Sequence, residues 1–192
     1  GVMTYFNLTE VSKDAKIALT YLTQAGDTIQ SFSNSDKKKN LKVEKGANQF
    51  VWDMTYDGAE TLPGMILWWS SLDGPQAVPG TYQVSLNVNG TVQNQTFEIL
   101  ADPRSESSPE GMKAQFDFIN DVNKTVDAAH QSIKKIRSFN SQLEAFQKQY
   151  KDNSDVKDLV EKAKTLTTAL SEIEKALYQT QNRSNQDPLN FP

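Results

Sequence analysis

Four acidic residues near the middle of the chain have the chemistry that hydrolysis or metal binding needs: Asp53, Asp57, Glu60 and Asp73. Glycoside hydrolysis uses two such carboxyl groups across a cleft, about 5–10 Å apart. The same acids could bind calcium, but the sequence lacks the Asp-x-Asp-x-Asp-Gly spacing of a calcium loop. Because all four flank one long loop, turn and loop-end roles are favoured. We therefore predict neither a catalytic pair nor a metal site.

The remaining reactive side chains are few. The chain has one histidine, His130, and no cysteine. A serine triad would depend on that histidine alone, and it falls mid-helix beside an apolar stripe, so a structural role is favoured. Without cysteine there is no disulfide, thiolate nucleophile or cysteine zinc site. No glycine-rich phosphate loop follows a strand. We predict no cofactor and no catalytic residue, and we class the chain as not an enzyme.

Aromatic residues are the better candidates for ligand recognition. They cluster in the second quarter of the chain as Trp52, Tyr56, Trp68, Trp69 and Tyr82. Flat exposed rings stack on sugars or anchor a protein partner. Neighbouring residues on a strand point to opposite faces, so the Trp68-Trp69 pair cannot share one core unless it is covered on both sides. The predicted ligand-binding residues are Trp68, Trp69 and Tyr56, whereas the alternative places Trp52 and one of the pair in a core.

The aromatic side chains must be positioned by short segments in which apolar and polar residues alternate, with turns between the segments. Residues 82–88 carry apolar side chains at every second position, and Asn89-Gly90 after them fits a two-residue type I′ turn. Other strands are predicted at 3–9, 15–22, 28–33, 48–54 and 91–100, with a short edge pairing at 41–43 and a short strand or packed loop at 65–69. This spacing, with no intervening helix, predicts an immunoglobulin-like or fibronectin-like β-sandwich of about seven strands.

The pattern changes to helical after Ser108-Pro109, which is a favourable helix start. Apolar residues at steps of three and four predict a helix over 109–150 and a second over 154–181, the latter with the strict alternation of a coiled-coil seam. The two helices should form an antiparallel hairpin. The first helix is longer by roughly 20 Å at 1.5 Å per residue. Either it bends or its early part packs on something else.

The apolar face of the first helix is wider than one seam. Phe118, Phe139 and Phe146 lie beside the main stripe and form the predicted interaction face. A face of that width usually contacts two neighbours. A third helix or a groove on the sandwich would serve as the second neighbour, and self-association through the helices is a further alternative.

Composition and charge limit the function classes. The 192 residues carry a formal net charge of -4, and neither half has a basic surplus, so nucleic acid is an unfavoured partner. No apolar run reaches the roughly 18 residues that a membrane span needs. The predicted organisation is an immunoglobulin-like sandwich over 1–102, a linker over 103–108, an α-helical hairpin over 109–182 that lacks a third helix, and an extended tail over 183–192.

Three short segments resemble one known family. They are Asn48-Gln49-Phe50-Val51-Trp52-Asp53, Val78-Pro79-Gly80-Thr81-Tyr82-Gln83-Val84 and Ala101-Asp102-Pro103-Arg104. Together they resemble the C-terminal region of large exported bacterial proteins built on BNR/sortilin-type β-propellers, often described as glycosyl hydrolases. The residues from Gln186 to the end resemble the segment that precedes a last helix in that family. The expanded 55–78 loop departs from the family pattern.

The resemblance implies a fold, a location and a partner. It implies an immunoglobulin-like domain followed by a helical tail, in an extracytoplasmic protein whose upstream propeller carries the presumed active surface. The expected function is a non-catalytic accessory fragment that packs against or presents that propeller. The alternative hypothesis is a carbohydrate-binding module that uses Trp68 or Trp69. A third hypothesis is that the chain is a glycoside hydrolase in its own right.

Overall fold

The computed structural model describes residues 1–67 and 70–187. This part of the chain contains six strands and two long helices: β1 (Val2–Leu8), β2 (Ile17–Thr23), β3 (Thr28–Ser33), β4 (Gly46–Trp52), β5 (Gly80–Val88), β6 (Thr91–Ile99), α1 (Pro109–Gln149) and α2 (Lys157–Leu177). The chain divides into two compact units, Gly1–Gly58 with Asp73–Asp121, and Ala59–Leu72 with Val122–Pro192. The domain boundaries given above remain a prediction.

The first unit is built from two antiparallel sheets. One sheet pairs β1 with β4, and the other has the strand order β3-β2-β5-β6. Side chains of the two sheets meet between them: the Tyr21 and Trp52 rings stack with centroids 4.5 Å apart, and those of Phe32 and Phe50 lie 4.6 Å apart. The unit is therefore sandwich-like, as the alternating segments predicted.

Every second residue of β2 contributes its side chain to the core of this unit. Ile17, Leu19 and Tyr21 point inward and are fully buried, with Trp52 of β4 against them. The Trp52 indole N–H donates to Gln30 Oε1 at 3.2 Å and to the Thr55 carbonyl at 3.1 Å, so burial leaves its polar group paired. The core position considered for Trp52 is confirmed.

The hairpin between β5 and β6 has the predicted turn. Val88 pairs with Thr91, and Asn89 and Gly90 between them both have positive φ, 53° and 93°. A type I′ turn requires this left-handed conformation at both central residues. The register places Tyr82, Val84 and Leu86 opposite Phe97, Gln95 and Gln93 respectively.

Two predicted strand segments are not strands. At 41–43 no strand forms: the pairing nearby is an isolated bridge between Ser33 and Asn40, and Leu41 buries its side chain in the core. Residues 65–67 form no strand, since the Met65 N–H donates to the Leu62 carbonyl at 3.1 Å in a turn. The rest of that apolar run, Trp68 and Trp69, lies outside the described residues. The described part therefore holds six strands rather than about seven.

The second unit confirms the helical hairpin. Three polar pairs join α1 to α2: Arg137 with Glu174 at 2.8 Å, Asn140 with Ser171 at 3.2 Å, and Gln147 with Thr167 at 3.1 Å. Positions that rise along α1 fall along α2, so the two helices are antiparallel. A 3₁₀ turn (Ser154–Val156) precedes α2, and Asn153 caps this turn by accepting from the Asp155 N–H at 2.9 Å.

The predicted coiled-coil seam of α2 is only partly buried. Of its seven residues, Ala163 is buried and Val156 and Leu170 are half-buried, whereas the other four are exposed: Leu159, Leu166, Ile173 and Leu177. Val160, which lies outside the seam, is buried, and Thr167, Ser171 and Glu174 bond to polar groups of α1. The strict alternation therefore predicted only some of the residues that are covered on α2.

The early part of α1 groups with the sandwich. Residues up to Asp121 belong to the first unit, where the Phe116 ring meets the Tyr56 ring edge to face at 4.7 Å. This confirms the alternative in which the first helix packs its early part on something other than the second helix. Among residues 1–67 and 70–187, no helix combines the length and apolarity needed to cross a membrane.

Candidate functional site

Two of the four acidic candidates, Asp53 and Asp57, have local structural partners in the first unit. Asp53 accepts from the Thr55 hydroxyl at 2.6 Å and from the Thr55 N–H at 3.0 Å, and these bonds hold the pKa of its carboxyl below the ordinary value. Asp57 accepts from Gln30 at 3.1 Å and forms an ion pair with Lys39. Both acids therefore stabilise turns and loop ends. Within the described residues no group of three or more His, Asp or Glu side chains is placed to hold a metal ion.

Glu60 lies in the second unit, where it bonds the loop of residues 59–67 to α1. Its N–H donates to Asp127 Oδ1 at 2.6 Å, and its carboxylate accepts from Gln131 and forms an ion pair with Lys134. Its carbonyl oxygen bonds to His130 Nδ1. Because a carbonyl oxygen only accepts, this bond places a proton on Nδ1. The structural role predicted for His130 is confirmed, with the ring buried.

A second anchor holds the same loop further along α1. Arg137 donates from Nε to Glu174 Oε1 at 2.8 Å and from a terminal nitrogen to the Pro63 carbonyl at 3.3 Å. Its guanidinium also lies 5.7 Å from the centre of the Tyr178 ring, whose hydroxyl accepts from the Ile66 N–H at 3.3 Å. The loop is therefore fixed to both helices of the second unit.

The residue pattern alone does not predict these bonds between the loop and α1. One signal was present: Asp127, His130, Gln131 and Lys134 recur at helical spacing and form a polar stripe on α1. Such a stripe is usual on a solvated helix face, so it does not by itself indicate a partner. The decisive bonds involve the backbone of Glu60, and backbone groups carry no sequence signal.

Tyr56, a predicted ligand-binding residue, is half-buried in the first unit. Its hydroxyl bonds to that of Tyr82, which donates to the Val78 carbonyl at 2.7 Å. Burial, with smaller contributions from Tyr82 and Asp27, raises the pKa of Tyr56 to about 12. Its ring is in contact with Phe116. A ligand role for Tyr56 remains a prediction.

A cavity of about 380 Å³ lies in the same unit, between residues 74–79 and the first turns of α1. Met112, Gln115, Phe116 and Ile119 line its helical side. The lining contains no ionisable side chain, so the cavity has no group for acid–base or nucleophilic chemistry.

Alkaline pH should destabilise the first unit through Tyr56. The unfolded phenol ionises near its ordinary pKa of 10.0, whereas the folded phenol ionises near 12. Between these values the unfolded state binds fewer protons, so stability is fully present below pH 10 and falls as the pH rises towards 12. We expect Tyr56→Phe to reduce this fall, measured as the free energy of unfolding in urea between about pH 9 and pH 12. An unchanged pH dependence in the variant would contradict the assignment to Tyr56.

The predicted interaction face is only partly exposed. Phe118 is 69% exposed and Phe139 is 55% exposed, whereas Phe146 is half-buried against Tyr150, with ring centroids 4.9 Å apart. Phe118 belongs to the first unit and the other two to the second. The role of the three as a partner surface remains a prediction.

A further exposed apolar surface lies on the β1–β4 sheet. Met3 and Tyr5 on β1 are 60% and 69% exposed, and Val51, which pairs with Met3, is 53% exposed. We call these three residues the β1–β4 patch. The Tyr5 hydroxyl accepts from Gln49 at 3.2 Å, which holds the ring on this face. Sequence reasoning missed the patch because β1 carries apolar residues on both of its faces.

Trp68 and Trp69, the other predicted ligand-binding residues, lie outside the described residues. Comparison of the chain with protein-family models, curated proteins and solved structures found no match.

Proposed function

We propose that the chain is a non-catalytic accessory fragment of a larger exported polypeptide, where it packs against or presents an upstream domain. The observation that carries this proposal is the β1–β4 patch. Met3, Tyr5 and Val51 expose large apolar side chains on one face of a short sheet, and such a patch is characteristic of a surface that another protein covers.

We further propose that the sandwich is immunoglobulin-like. In that fold one sheet contains strands B and E, and the other has the order C′-C-F-G. The pairing of β1 with β4 and the order β3-β2-β5-β6 agree with this arrangement if β1 to β6 are taken as B, C, C′, E, F and G. The loop of residues 59–67 then falls in the connection between strands E and F.

Tyr82 gives independent support for this fold. It lies near the start of β5, and its hydroxyl donates to the carbonyl of Val78, four residues upstream, at 2.7 Å. Immunoglobulin-like domains have a tyrosine corner of this kind at the start of strand F. The position of Tyr82 therefore agrees with the assignment of β5 as strand F.

The family resemblance suggests which upstream domain and which location to propose. The first of its three segments falls largely on β4 and supplies Trp52 to the core, and the second contains the Tyr82 corner. On that resemblance we propose an upstream BNR/sortilin-type propeller as the partner and an extracytoplasmic location.

Radical labelling of exposed side chains tests this function. The experiment compares the chain alone with a longer polypeptide that contains both the chain and the proposed upstream domain. Mass spectrometry identifies the modified residues. We expect labelling of Met3 and Tyr5 to fall several-fold when the upstream region is present. Val92, exposed on the outer face of the other sheet, is the control and should label equally in both. Equal labelling of Met3 and Tyr5 in both proteins would overturn the proposal.

The carbohydrate-binding alternative has its own measurement. Tryptophan fluorescence of the chain is followed during titration with a panel of polysaccharides, using Trp68→Ala and Trp69→Ala as controls. Saturable binding that either replacement abolishes would favour a carbohydrate-recognition module over the accessory role.

A further inference from the structure

The two sheets of the sandwich cover each other unevenly. The inward residues of β2, Ile17 and Leu19, are fully buried. The inward residues of β5, Val84 and Leu86, are only half-buried, although β5 is also an internal strand of its sheet. Because the four-stranded sheet faces a sheet of only two strands, its β5–β6 side has less apolar cover than a completed sandwich provides.

The uncovered side forms a groove. It has a volume of about 200 Å³ and lies between residues 4–7 of β1 and the inward face of β5 and β6. Gln93 and Gln95, opposite Leu86 and Val84 in the register, point into it and are exposed. No charged residue lines the groove.

The edge of β1 beside this groove is open. Within the described residues β1 pairs only with β4, so the N–H and C=O groups on its other edge have no strand partner. The side of the sandwich at β3 has additional cover. Leu41 is buried in the core beside β3, and its N–H donates to the Ser33 carbonyl at 3.0 Å. An open edge of this kind is a template for another strand.

We propose that the open edge of β1 receives one further antiparallel β-strand, an extended segment with uncharged side chains that the upstream part of the parent polypeptide supplies. This rests on the proposed function. The strand continues the ladder that β1 and β4 already form, and it occupies the position of strand A beside strand B in the immunoglobulin-like order. A strand that leads directly into β1 through a short turn pairs with it antiparallel.

The groove determines the chemistry of this strand. Its inward side chains meet Val84, Leu86, Gln93 and Gln95, so apolar and amide or hydroxyl side chains fit and charged ones would be buried without a partner. The four residues of β1 along the groove correspond to a strand segment of roughly 13 Å. A helix could not satisfy the row of backbone groups on the β1 edge.

A tethered strand tests the groove directly. Seven residues, Thr-Val-Thr-Val-Thr-Val-Asn, are added before Gly1 of the full chain, so that Asn-Gly1 makes the turn into β1. Gly1 is retained because a Cβ there would lie 2.5 Å from the Trp52 carbonyl oxygen. We expect hydrogen exchange of the β1 amides to slow by about tenfold or more relative to a control extension with proline in place of each valine. Equal exchange in the two proteins would overturn the proposal.

A matched pair of variants locates the added strand. Gln95 points into the groove, whereas its neighbour Asn94 lies on the opposite face of β6. In the extended protein, Gln95→Arg should abolish the slowing of exchange and Asn94→Arg should preserve it. Loss of the slowing in both variants, or in neither, would contradict strand addition at this groove.

Three further outcomes separate this proposal from its rivals. If the chain without an extension is a dimer whose β1 amides are already protected, a second copy occupies the edge and the proposal fails. In the polypeptide with its upstream region, unprotected β1 amides would also overturn it. Protected β1 amides with Met3 and Tyr5 still labelled would support strand addition and contradict the packing function.

Discussion

Replacement of Trp52 with alanine is expected to lower the free energy of unfolding of the sandwich by about 3–5 kcal/mol. The side chain is completely buried, and its ring stacks on Tyr21 at 4.5 Å. Removal leaves a cavity between the two sheets and deprives Gln30 and the Thr55 carbonyl of a hydrogen-bond donor. Urea unfolding followed by far-ultraviolet circular dichroism, with exchange of the β2 amides, measures the loss.

Val51→Ala is the matched control for this replacement. Val51 is the neighbour of Trp52 on β4 but points to the opposite face and is half-exposed, so its loss should change stability by less than about 0.5 kcal/mol. Trp52→Phe keeps an aromatic ring and removes the N–H, and should cost about 1–3 kcal/mol. Equal effects at Trp52 and Val51 would contradict the placement of Trp52 in the core.

Ile133→Ala is expected to destabilise the second unit by about 2–5 kcal/mol. Ile133 is completely buried on α1, and the described part of this unit also buries Ala59, Leu62, His130, Ile136, Val160 and Ala163. Because Ile133 is completely buried, its truncation leaves a cavity in this unit. Loss of helical circular dichroism in urea, and faster exchange of α1 amides beyond Val122, would report the effect.

Phe139→Ala is the control on the same helix. Its ring is 55% exposed, so we expect a change of about 0.5 kcal/mol or less. If Phe139→Ala destabilises the unit as much as Ile133→Ala, the ring contributes to folding rather than to a partner surface. If the replacement leaves stability unchanged and weakens association with the proposed upstream domain, Phe139 belongs to the interaction face.

The predictions succeeded for hairpins and helices, whose formation depends on residues close together in the sequence. The β5–β6 hairpin follows from alternation and from Asn89-Gly90, two residues that accept the positive φ of the turn. Helix α1 was expected over 109–150 and runs from Pro109 to Gln149. Its start follows from Ser108, whose hydroxyl accepts from the Gly111 N–H at 3.1 Å.

Predictions about which face meets which neighbour were less successful. The alternation along α2 predicted one apolar seam, of which Ala163 is buried. Leu159, Leu166 and Ile173 of the same seam are exposed, and polar pairs contribute to the contact with α1. Periodicity identifies an apolar stripe, but it does not state what covers that stripe. The same limit applies to β1, where apolar residues on both faces left the orientation of Met3 and Tyr5 undetermined.

Six strands, the turn between β5 and β6, and the two helices with their antiparallel order could be predicted from residue pattern, because each depends on residues close in the chain. Three features could not be predicted in this way: the stack of Trp52 on Tyr21, the bond from Glu60 to α1, and the open edge of β1 beside a groove. These features join residues far apart in sequence, or depend on backbone groups that every residue carries. Local residue pattern therefore does not specify them.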